Sequence, residues 1–568
     1  MNIYNNYLIR LYSNVVKIIL TPLLILSCST SEICAGSSDY FATEDQLLIT
    51  GSEFYQRSQF DAGDIRLFLK NINDEPVSIS QLKLYRLILD VKGEKSYKED
   101  GAEINYLCSK LSPPVLMADQ NGELLVKLLK TPPNNSKLKC IIYGKTGRIS
   151  ETLISIQNTP IWISYVGFSE DLGKVYVYAQ NNTKTFLSIR LLEVAGVNVG
   201  DNYQSINNNL PPGDIGCLMF KMSRRPVLGE YVHIVISAET NEQEFQTHRI
   251  VKASNKFTLL TEGGSPNPKL GLDSKSLFVQ IMSCPAHAHG THEEAAKKFV
   301  DDYYSRFSQN PYLLIQMWIC RSGKPETWYK FGALPDVAVM NPVLLAQRAY
   351  ESDTKASERF CPFFWLAATA KKAVAPNRYL ACIPVIPRDN TIFLQNNHTP
   401  EEIKFLVYCT IAAGAKGVLY RGTPSSGRLS HDTFVRLNRE LQQLKPLLII
   451  GEPVNWASTK DNNYVAKCLL CGNEAILIIV FDHRYFGEQR NNKLYTPAFG
   501  KTVRPVKIQV KVPEGFLASE LKSTYAPLSR KLWSCEESRL DFTANMVDSV
   551  QVYKAVLIRK SSVSSLEE

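Results

Sequence analysis

The spacing of hydrophobic residues along the chain changes near residue 270 and returns to its earlier pattern near residue 456. Between these points, short and continuous apolar runs such as Leu277–Met282 and Tyr379–Val385 alternate with helix-like segments such as Glu293–Phe307. Continuous apolar strands that are joined by helices are typical of a parallel sheet covered on both faces. We therefore expect an α/β domain in the middle of the chain.

The segments on either side of this region have the pattern of antiparallel sheets. Short apolar stretches such as Ile65–Lys70, Lys174–Ala179 and Val506–Val512 recur at close intervals. Turn signals, among them Asn134-Asn135 and Pro211-Pro212-Gly213, separate such stretches. This pattern predicts β-sandwiches before and after the α/β domain.

Length and composition limit the class of protein. A chain of 568 residues is too long for a single hydrophobic core. We predict β-sandwiches over 40–152, 153–262 (Ig-like) and 457–560, and the α/β domain over 268–453. Hydrophobic residues make up 45% and charged residues 21%, which excludes wholesale disorder. The net charge of +9 is spread along the chain without a long basic run, so we expect no nucleic-acid partner.

The first 36 residues predict export. Arg10 and Lys17 precede the apolar run Ile18–Leu26, which has the length of the hydrophobic part of a signal peptide. The sequence Ile25-Leu26-Ser27-Cys28 resembles a bacterial lipobox, which implies a diacylglycerol on Cys28 and a membrane tether. Cleavage within Cys34–Ser37 instead yields a freely secreted or periplasmic protein, and both alternatives stay open.

The cysteines give a weaker signal about function. Cys108 and Cys140 flank one β-rich segment and could form a disulfide, whereas Cys468 and Cys471 form a CxxC without nearby histidine ligands. We interpret the CxxC as two strand positions and predict no metal and no cofactor.

The segment Cys284–Glu293 places three histidines just after the first strand of the α/β domain, namely His287, His289 and His292. The carboxyl ends of barrel strands carry active sites, so this position suits function. Three interpretations stay open: a metal motif similar to that of the amidohydrolases, a sugar-binding or acid/base role, and loop histidines bonded to the backbone.

Several segments together resemble the closing part of a glycoside hydrolase TIM barrel: Leu334–Pro342, Tyr379–Val385, Thr399–Lys404, Ala412–Tyr420, Leu437–Gln442 and Leu447–Pro453. In this resemblance, Lys416–Tyr420 is similar to the last barrel strand. The similar group is that of the retaining glycosidases, including the family-42 β-galactosidases. The resemblance implies a compact or reduced (β/α)8 barrel between antiparallel β-sandwiches, with an oligo- or polysaccharide as the partner.

The sequence departs from this group at the catalytic positions. A retaining glycosidase needs two carboxyls about 5–5.5 Å apart. In this group the acid/base carboxyl belongs to an Asn-Glu pair. Here that pair occurs only outside the α/β domain, at Asn241-Glu242 and Asn473-Glu474. The segment similar to the seventh strand contains no Glu, and the nearest acid that follows it is Asp389. The domain is also short, at about 185 residues against ~250 in typical barrels.

These observations lead to two hypotheses. The first is an exported glycoside-hydrolase-like enzyme that uses Asp389 or Glu326 as its catalytic carboxyl, with the loop of His287 and His289 as the partner. The second is a non-catalytic cell-surface protein that binds carbohydrate or has a structural role. In either case we predict sugar-binding roles for five residues near strand ends: His287, His289, Asn341, Trp328 and Arg421.

Overall fold

The computed structural model describes residues 47–89, 97–145, 147–240, 243–261, 272–273, 278–283, 285, 290–319, 324–342, 356–384, 400–421, 428–486, 488–490, 493–495, 503–524 and 526–560. About half of these residues form strands, and most of the strands belong to antiparallel sheets. None of the helices within these ranges combines the length and the apolar character that a membrane span requires.

The first β-sandwich consists of two four-stranded antiparallel sheets. Its strands are β1 (Leu47–Tyr55), β2 (Asp64–Asn71), β3 (Gln81–Leu89), β4 (Tyr97–Glu103), β5 (Tyr106–Ser112), β6 (Asn121–Leu128), β7 (Lys137–Gly144) and β8 (Gly147–Ser155). The strand orders are β1-β2-β6-β5 and β4-β3-β7-β8. Cys140 faces the core between the sheets, whereas Cys108 belongs to a different apolar cluster, and both are free thiols.

The second β-sandwich repeats this topology strand for strand. Its strands are β9 (Ile161–Phe168), β10 (Lys174–Asn181), β11 (Leu187–Val194), β12 (Val197–Asn198), β13 (Tyr203–Ile206), β14 (Asn209–Leu210), β15 (Ile215–Lys221), β16 (Tyr231–Glu239) and β17 (Glu244–Lys252). The strand orders are β9-β10-β15-β13 and β12-β11-β16-β17. Apart from the added bridge strand β14, each strand has a counterpart in the first sandwich. The two units are therefore tandem copies of one topology.

A buried asparagine at the end of an inner strand marks this repeat. Asn71 ends β2 and Asn181 ends β10, and both are 0% exposed. The Asn71 amide donates to the carbonyl oxygen four residues further on, at 2.9 Å, and to that of Leu116, at 3.0 Å. The Asn181 amide donates to the equivalent carbonyls, of the residue four positions on and of Leu210, at 2.7 and 2.9 Å. Each asparagine therefore ties the turn that follows its strand to a second segment of the same sandwich through two hydrogen bonds.

The central part contains six parallel strands with helices between them. Its elements are β18 (Thr258–Thr261), β19 (Phe278–Ser283), α1 (His292–Gln309), β20 (Leu314–Trp318), α2 (Pro325–Phe331), β21 (Val337–Met340), α3 (Ala356–Val374), β22 (Arg378–Pro384), α4 (Pro400–Ala412), β23 (Gly417–Arg421) and α5 (Arg428–Ile450). The strand order is β18-β23-β22-β21-β20-β19.

The predicted fold class is wrong. The described residues are predominantly strand and contain no (β/α)8 barrel, compact or reduced, but one open parallel sheet shaped as a half-barrel. Closure would require β18 to pair with β19. Instead, the outer edge of β18 is occupied by Asp273, whose Oδ2 accepts from the Leu259 amide and whose own amide donates to the Leu259 carbonyl, both at 2.8 Å. This local contact ends the sheet at β18.

The C-terminal part is a third antiparallel sandwich. Its strands are β24 (Glu452–Val454), β25 (Ala457–Thr459), β26 (Tyr464–Cys471), β27 (Ala475–Asp482), β28 (Glu488–Arg490), β29 (Lys493–Tyr495), β30 (Arg504–Lys511), β31 (Phe516–Ser523), β32 (Trp533–Glu536), β33 (Arg539–Met546) and β34 (Val550–Arg559). The orders are β24-β26-β27-β34-β31 and β25-β30-β33-β32, with β28 and β29 as a separate hairpin. Cys468 and Cys471 both lie on β26 as buried free thiols.

A buried carboxylate joins the second sandwich to the amino ends of the parallel strands. Asp336 lies just before β21; its Oδ1 accepts from the Tyr303 hydroxyl at 2.8 Å and its Oδ2 from the Ile315 amide at 2.9 Å. The Lys252 Nζ on β17 lies 3.3 Å from the same Oδ2. Asp336 thus connects three elements, which agrees with the structural role that its position at a strand start predicts.

The first sandwich contacts the same region, around Asp336 and Tyr303, through Lys110 on β5. The Lys110 Nζ donates to the Leu334 carbonyl at 2.6 Å and lies 3.8 Å from the centre of the Tyr303 ring. Burial lowers the pKa of Lys110 to about 8. A cavity of about 40 Å³ adjoins Lys110, Lys252 and Asp336. This volume holds a few water molecules and is too small for a sugar.

A second junction is centred on Tyr165 of β9. The Tyr165 hydroxyl donates to the Ile449 carbonyl at 2.7 Å, and the Lys416 and Lys371 ammonium groups lie 4.1 and 4.9 Å from the ring centre. Lys371 also lies 3.3 Å from Glu452, the first residue of the C-terminal part. Burial lowers the pKa of Lys416 to about 7. The second sandwich, the parallel sheet and the C-terminal sandwich therefore share one buried polar contact region.

We expect Asn71→Ala and Asn181→Ala each to lower the free energy of unfolding by about 2 kcal/mol, because each removes the two hydrogen bonds that the buried amide donates. Urea denaturation of the full chain measures both effects. Asn182→Ala, at an exposed neighbouring position, is the control and should change stability little. Equal stabilities for all three variants would contradict the role given to the two asparagines.

We expect Asp336→Asn to destabilise the chain by about 3 kcal/mol, because it leaves the Lys252 cation buried without its partner. Thermal and urea unfolding measure this loss. The matched control is Asp301→Asn, at an exposed position of α1, where the change should be within about 0.5 kcal/mol. A similar small effect at Asp336 would show that the ion pair is dispensable.

Candidate functional site

The parallel sheet has two faces of different character. One face packs against the helices, since Ile315, Met317 and Ile319 share a cluster with helix residues. The other, which we call the inner face, carries a separate apolar cluster: Leu260, Phe278, Leu314, Val337, Val339, Leu380, Cys382 and Leu419. Side chains alternate between the two faces along a strand. Residues two positions before or after these apolar residues therefore also lie on the inner face.

This alternation places five polar or amphipathic side chains on the inner face. We call them the inner polar set: Gln280, Gln316, Trp318, Asn341 and Arg421. Trp318 and Arg421 end their strands, and Asn341 directly follows β21. Gln316 pairs in register with Gln280 on one side and Val337 on the other. The set therefore lies on the carboxyl-terminal half of the inner face, where parallel sheets place their binding residues.

Gln316 is the most informative member of the set. It is 5% exposed, and its Nε2 has no hydrogen-bond partner among the described residues. A buried amide without a partner costs about 1–3 kcal/mol, so most such groups in native proteins are paired. A ligand hydroxyl or carbonyl on the inner face would remove this cost. Gln316 is therefore the residue that points most directly to a ligand.

The other members add complementary chemistry. Trp318 is half-buried and offers an indole ring, Asn341 is 3% exposed and offers an amide, and Arg421 is half-buried and offers a guanidinium. Amides both donate and accept, which suits adjacent hydroxyl groups, and an indole face packs against apolar C–H groups. The set contains no carboxylate, so it can bind a polar ligand but lacks an acid/base pair of its own.

The structure separates the predicted site residues. Asn341 and Arg421 lie on the inner face, as described above. Glu326 lies half-buried in the first turn of α2, which follows β20 at the same edge of the sheet. Trp328, three positions before the end of α2, is 1% exposed in the main core, so its ring has no free face for a sugar. Thr327, Tyr329 and Phe331 of the same helix are buried with it.

The remaining predicted residues lie outside the described residues. These are Asp389, His287, His289 and Cys28. The catalytic role of Asp389 therefore stays a prediction. The third histidine of the motif is described: Lys330 Nζ lies 2.9 Å from His292 Nδ1 in the first turn of α1. Within the described part of the chain, no cluster of three or more His, Cys, Asp or Glu side chains could hold a metal ion.

Sequence reasoning missed Gln316 and Gln280. A signal was present, since a glutamine interrupts the otherwise apolar run Leu313–Ile319. A polar side chain inside a buried strand costs free energy unless it is paired or has a function. Its importance could not be read from the sequence, because the face it occupies depends on the strand register.

No protein-family model matches this chain, and no curated protein matches it. Among solved structures, it is similar to the family GH36 α-galactosidase AgaA of Geobacillus stearothermophilus, with 8% identity and a TM-score of 0.25, over 91% of this chain and 88% of that chain. The α-galactosidase AgaB of the same organism gives 7% identity and a TM-score of 0.25, over 92% and 90%.

The archaellum periplasmic stator protein FlaG of Sulfolobus acidocaldarius covers 19% of this chain and 97% of its own, with 12% identity and a TM-score of 0.14. The glycoside hydrolases are thus weak structural neighbours over most of the chain. At these TM-scores the similarity gives no evidence of function. A function must therefore be inferred from the residues of the site.

We expect Gln316→Met to leave the ligand-free chain as stable as the wild type or more stable by about 1 kcal/mol, because it replaces an unpaired buried amide with an apolar side chain of similar length. Urea denaturation without any added sugar measures this. Gln309→Met, at the exposed end of α1, is the matched control. A loss of stability at Gln316 alone would mean that its amide is paired in the folded protein.

Proposed function

We propose that this protein binds a carbohydrate at the carboxyl ends of its parallel strands, through the inner polar set. The observation that carries the proposal is the buried Gln316 amide without a partner among the described residues. Trp318 and Asn341 lie on the same face. Amides beside an indole ring suit a sugar, which offers hydroxyl groups at its rim and apolar C–H groups on its faces.

Binding without hydrolysis fits the inner polar set better than catalysis does. Hydrolysis of a glycosidic bond needs two carboxyls, about 5–5.5 Å apart for retention or about 6.5–9.5 Å apart for inversion. The inner polar set provides none.

A second candidate is a glycoside hydrolase with Glu326 and Asp389 as its carboxyls. The position of Glu326 favours it, because the first turn of α2 follows β20 at the edge where the inner polar set lies. In this proposal one carboxyl protonates the leaving oxygen and the other assists attack at the anomeric carbon. His287 and His289 would then bind the sugar.

The proposal predicts measurable binding of the full chain to soluble oligosaccharides. The probes are cello-, xylo-, manno- and galacto-oligosaccharides together with oligogalacturonates, measured by isothermal titration calorimetry. We expect Gln316→Met to weaken binding at least tenfold, because the apolar side chain cannot satisfy a sugar hydroxyl. Gln309→Met should bind as the wild type does.

The outcomes separate the two candidates. Binding without release of reducing ends supports the binding protein. Release of reducing ends that is lost in Glu326→Gln and in Asp389→Asn supports the hydrolase instead. Wild-type chain that binds no member of the panel, or Gln316→Met that binds with unchanged affinity, would contradict a sugar site at the inner polar set.

A further inference from the structure

The two amino-terminal sandwiches meet through buried charges. Strand β17 of the second sandwich lies beside the sheet β1-β2-β6-β5 of the first. The Arg249 guanidinium donates to Glu53 Oε2 at 2.9 Å, and the Ile250 amide donates to Glu123 Oε2 at 3.0 Å. Glu53, Glu123 and Arg249 are each at least nine-tenths buried. This contact is therefore tightly packed and sensitive to any added charge.

A pair of histidines lies at the end of the same contact. His233 Nε2 and His248 Nδ1 are 3.2 Å apart, and the two rings are stacked with centres 5.4 Å apart. The first sandwich supplies two partners. Phe68 stacks on His248 with ring centres 4.6 Å apart, and the Asn121 amide lies 3.2 Å from His233 Nδ1. The histidines thus belong to one sandwich and are covered by the other.

The hydrogen bonds limit how many protons this pair can hold. His233 Nδ1 lies 2.9 Å from Glu193 Oε1, and because a carboxylate only accepts, that nitrogen carries a proton and donates it to Glu193 rather than accepting from the Asn121 amide. The bond between His233 Nε2 and His248 Nδ1 needs one proton and one lone pair. A first added proton still satisfies this bond. A second removes the lone pair and leaves two cations in contact, so the bond is lost.

The surrounding charges cannot compensate for a second proton. Among the described residues, Glu193 on β11, Glu123 on β6 and Arg249 on β17 act electrostatically on His248, and Arg66 on β2 is bonded to Glu123. Glu123 is already paired with Arg66, and Arg249 with Glu53. Only Glu193 is left to offset two imidazolium groups. Burial, His233 and Arg249 together lower the pKa of His248 to about 4, against an ordinary value near 6.5.

We propose that the pair His233–His248 is a pH-sensitive latch between the two amino-terminal sandwiches. The latch is closed while the pair carries at most one added proton, and acid opens it by adding the second. Opening separates Phe68 from His248 and breaks the bond between the Ile250 amide and Glu123. This inference is independent of the carbohydrate site, which lies on the parallel sheet.

The direction of the effect follows from linkage. His248 takes up a proton more readily in the open state than in the closed state, so the closed state is fully favoured above pH 6.5 and loses this advantage as the pH falls toward 4. Each pKa unit of difference corresponds to a factor of ten. We expect the ratio of open to closed latch to rise roughly 100-fold between pH 7.5 and pH 4.

Hydrogen exchange of the full chain tests the proposal, because the Ile250 amide bonds across the contact. We expect the exchange rate of peptides that cover 246–252, corrected for the intrinsic pH dependence, to rise strongly from pH 7.5 to pH 4. Peptides of β26 and β27, in the C-terminal sandwich, should stay protected. His248→Phe keeps the ring stack on Phe68 but cannot take up a proton, so its corrected rate should not depend on pH.

A second variant keeps the test decisive if His248→Phe folds poorly. Glu193→Gln removes the only carboxylate left to the pair, and we expect it to move the opening to higher pH. Three results would overturn the latch: pH-independent exchange at 246–252 in the wild type, an unchanged pH response in both variants, or simultaneous loss of protection in β26 and β27, which would indicate global acid unfolding.

Discussion

The carboxylate of Asp336 is the interaction on which the arrangement of the chain depends. It accepts bonds from Tyr303 on α1 and from the backbone of β20, and it neutralises Lys252 from the second sandwich. A buried charge is tolerated only when its partners satisfy it fully. This requirement fixes the position of the second sandwich against the amino ends of the parallel strands. The position of the first sandwich depends on the same junction, because Lys110 packs on the same Tyr303 ring.

This arrangement determines where a ligand can bind. The sandwiches cover the amino ends of the parallel strands, and the cavity of about 40 Å³ left there is too small for a sugar. The carboxyl ends of the same strands carry the inner polar set, in which Gln316 lacks a partner among the described residues. The junction built on Asp336 and the proposed binding site around Gln316 therefore belong to opposite ends of one sheet.

Much of the secondary structure was predictable from local pattern. The apolar run Tyr379–Val385 predicts the strand found at Arg378–Pro384, and the segment Glu293–Phe307 predicts the helix found at His292–Gln309. The barrel was not correctly predicted, because closure depends on contacts between distant segments. Asp273 occupies the edge of β18, and nothing in the local sequence reveals this. The strand Thr258–Thr261 was assigned to the second sandwich for the same reason: only its pairing with Gly417 shows that it joins the parallel sheet.

By itself, the sequence determined which segments are strands or helices and which strands are buried, because these properties follow from short-range hydrophobic periods. The tertiary structure alone decided which side chains meet. His233 and His248 are 15 residues apart and become neighbours only through the register of β16 and β17. Likewise, the sequence places Gln316 in a strand, but the face it occupies and its lack of a partner depend on packing between segments far apart in the chain.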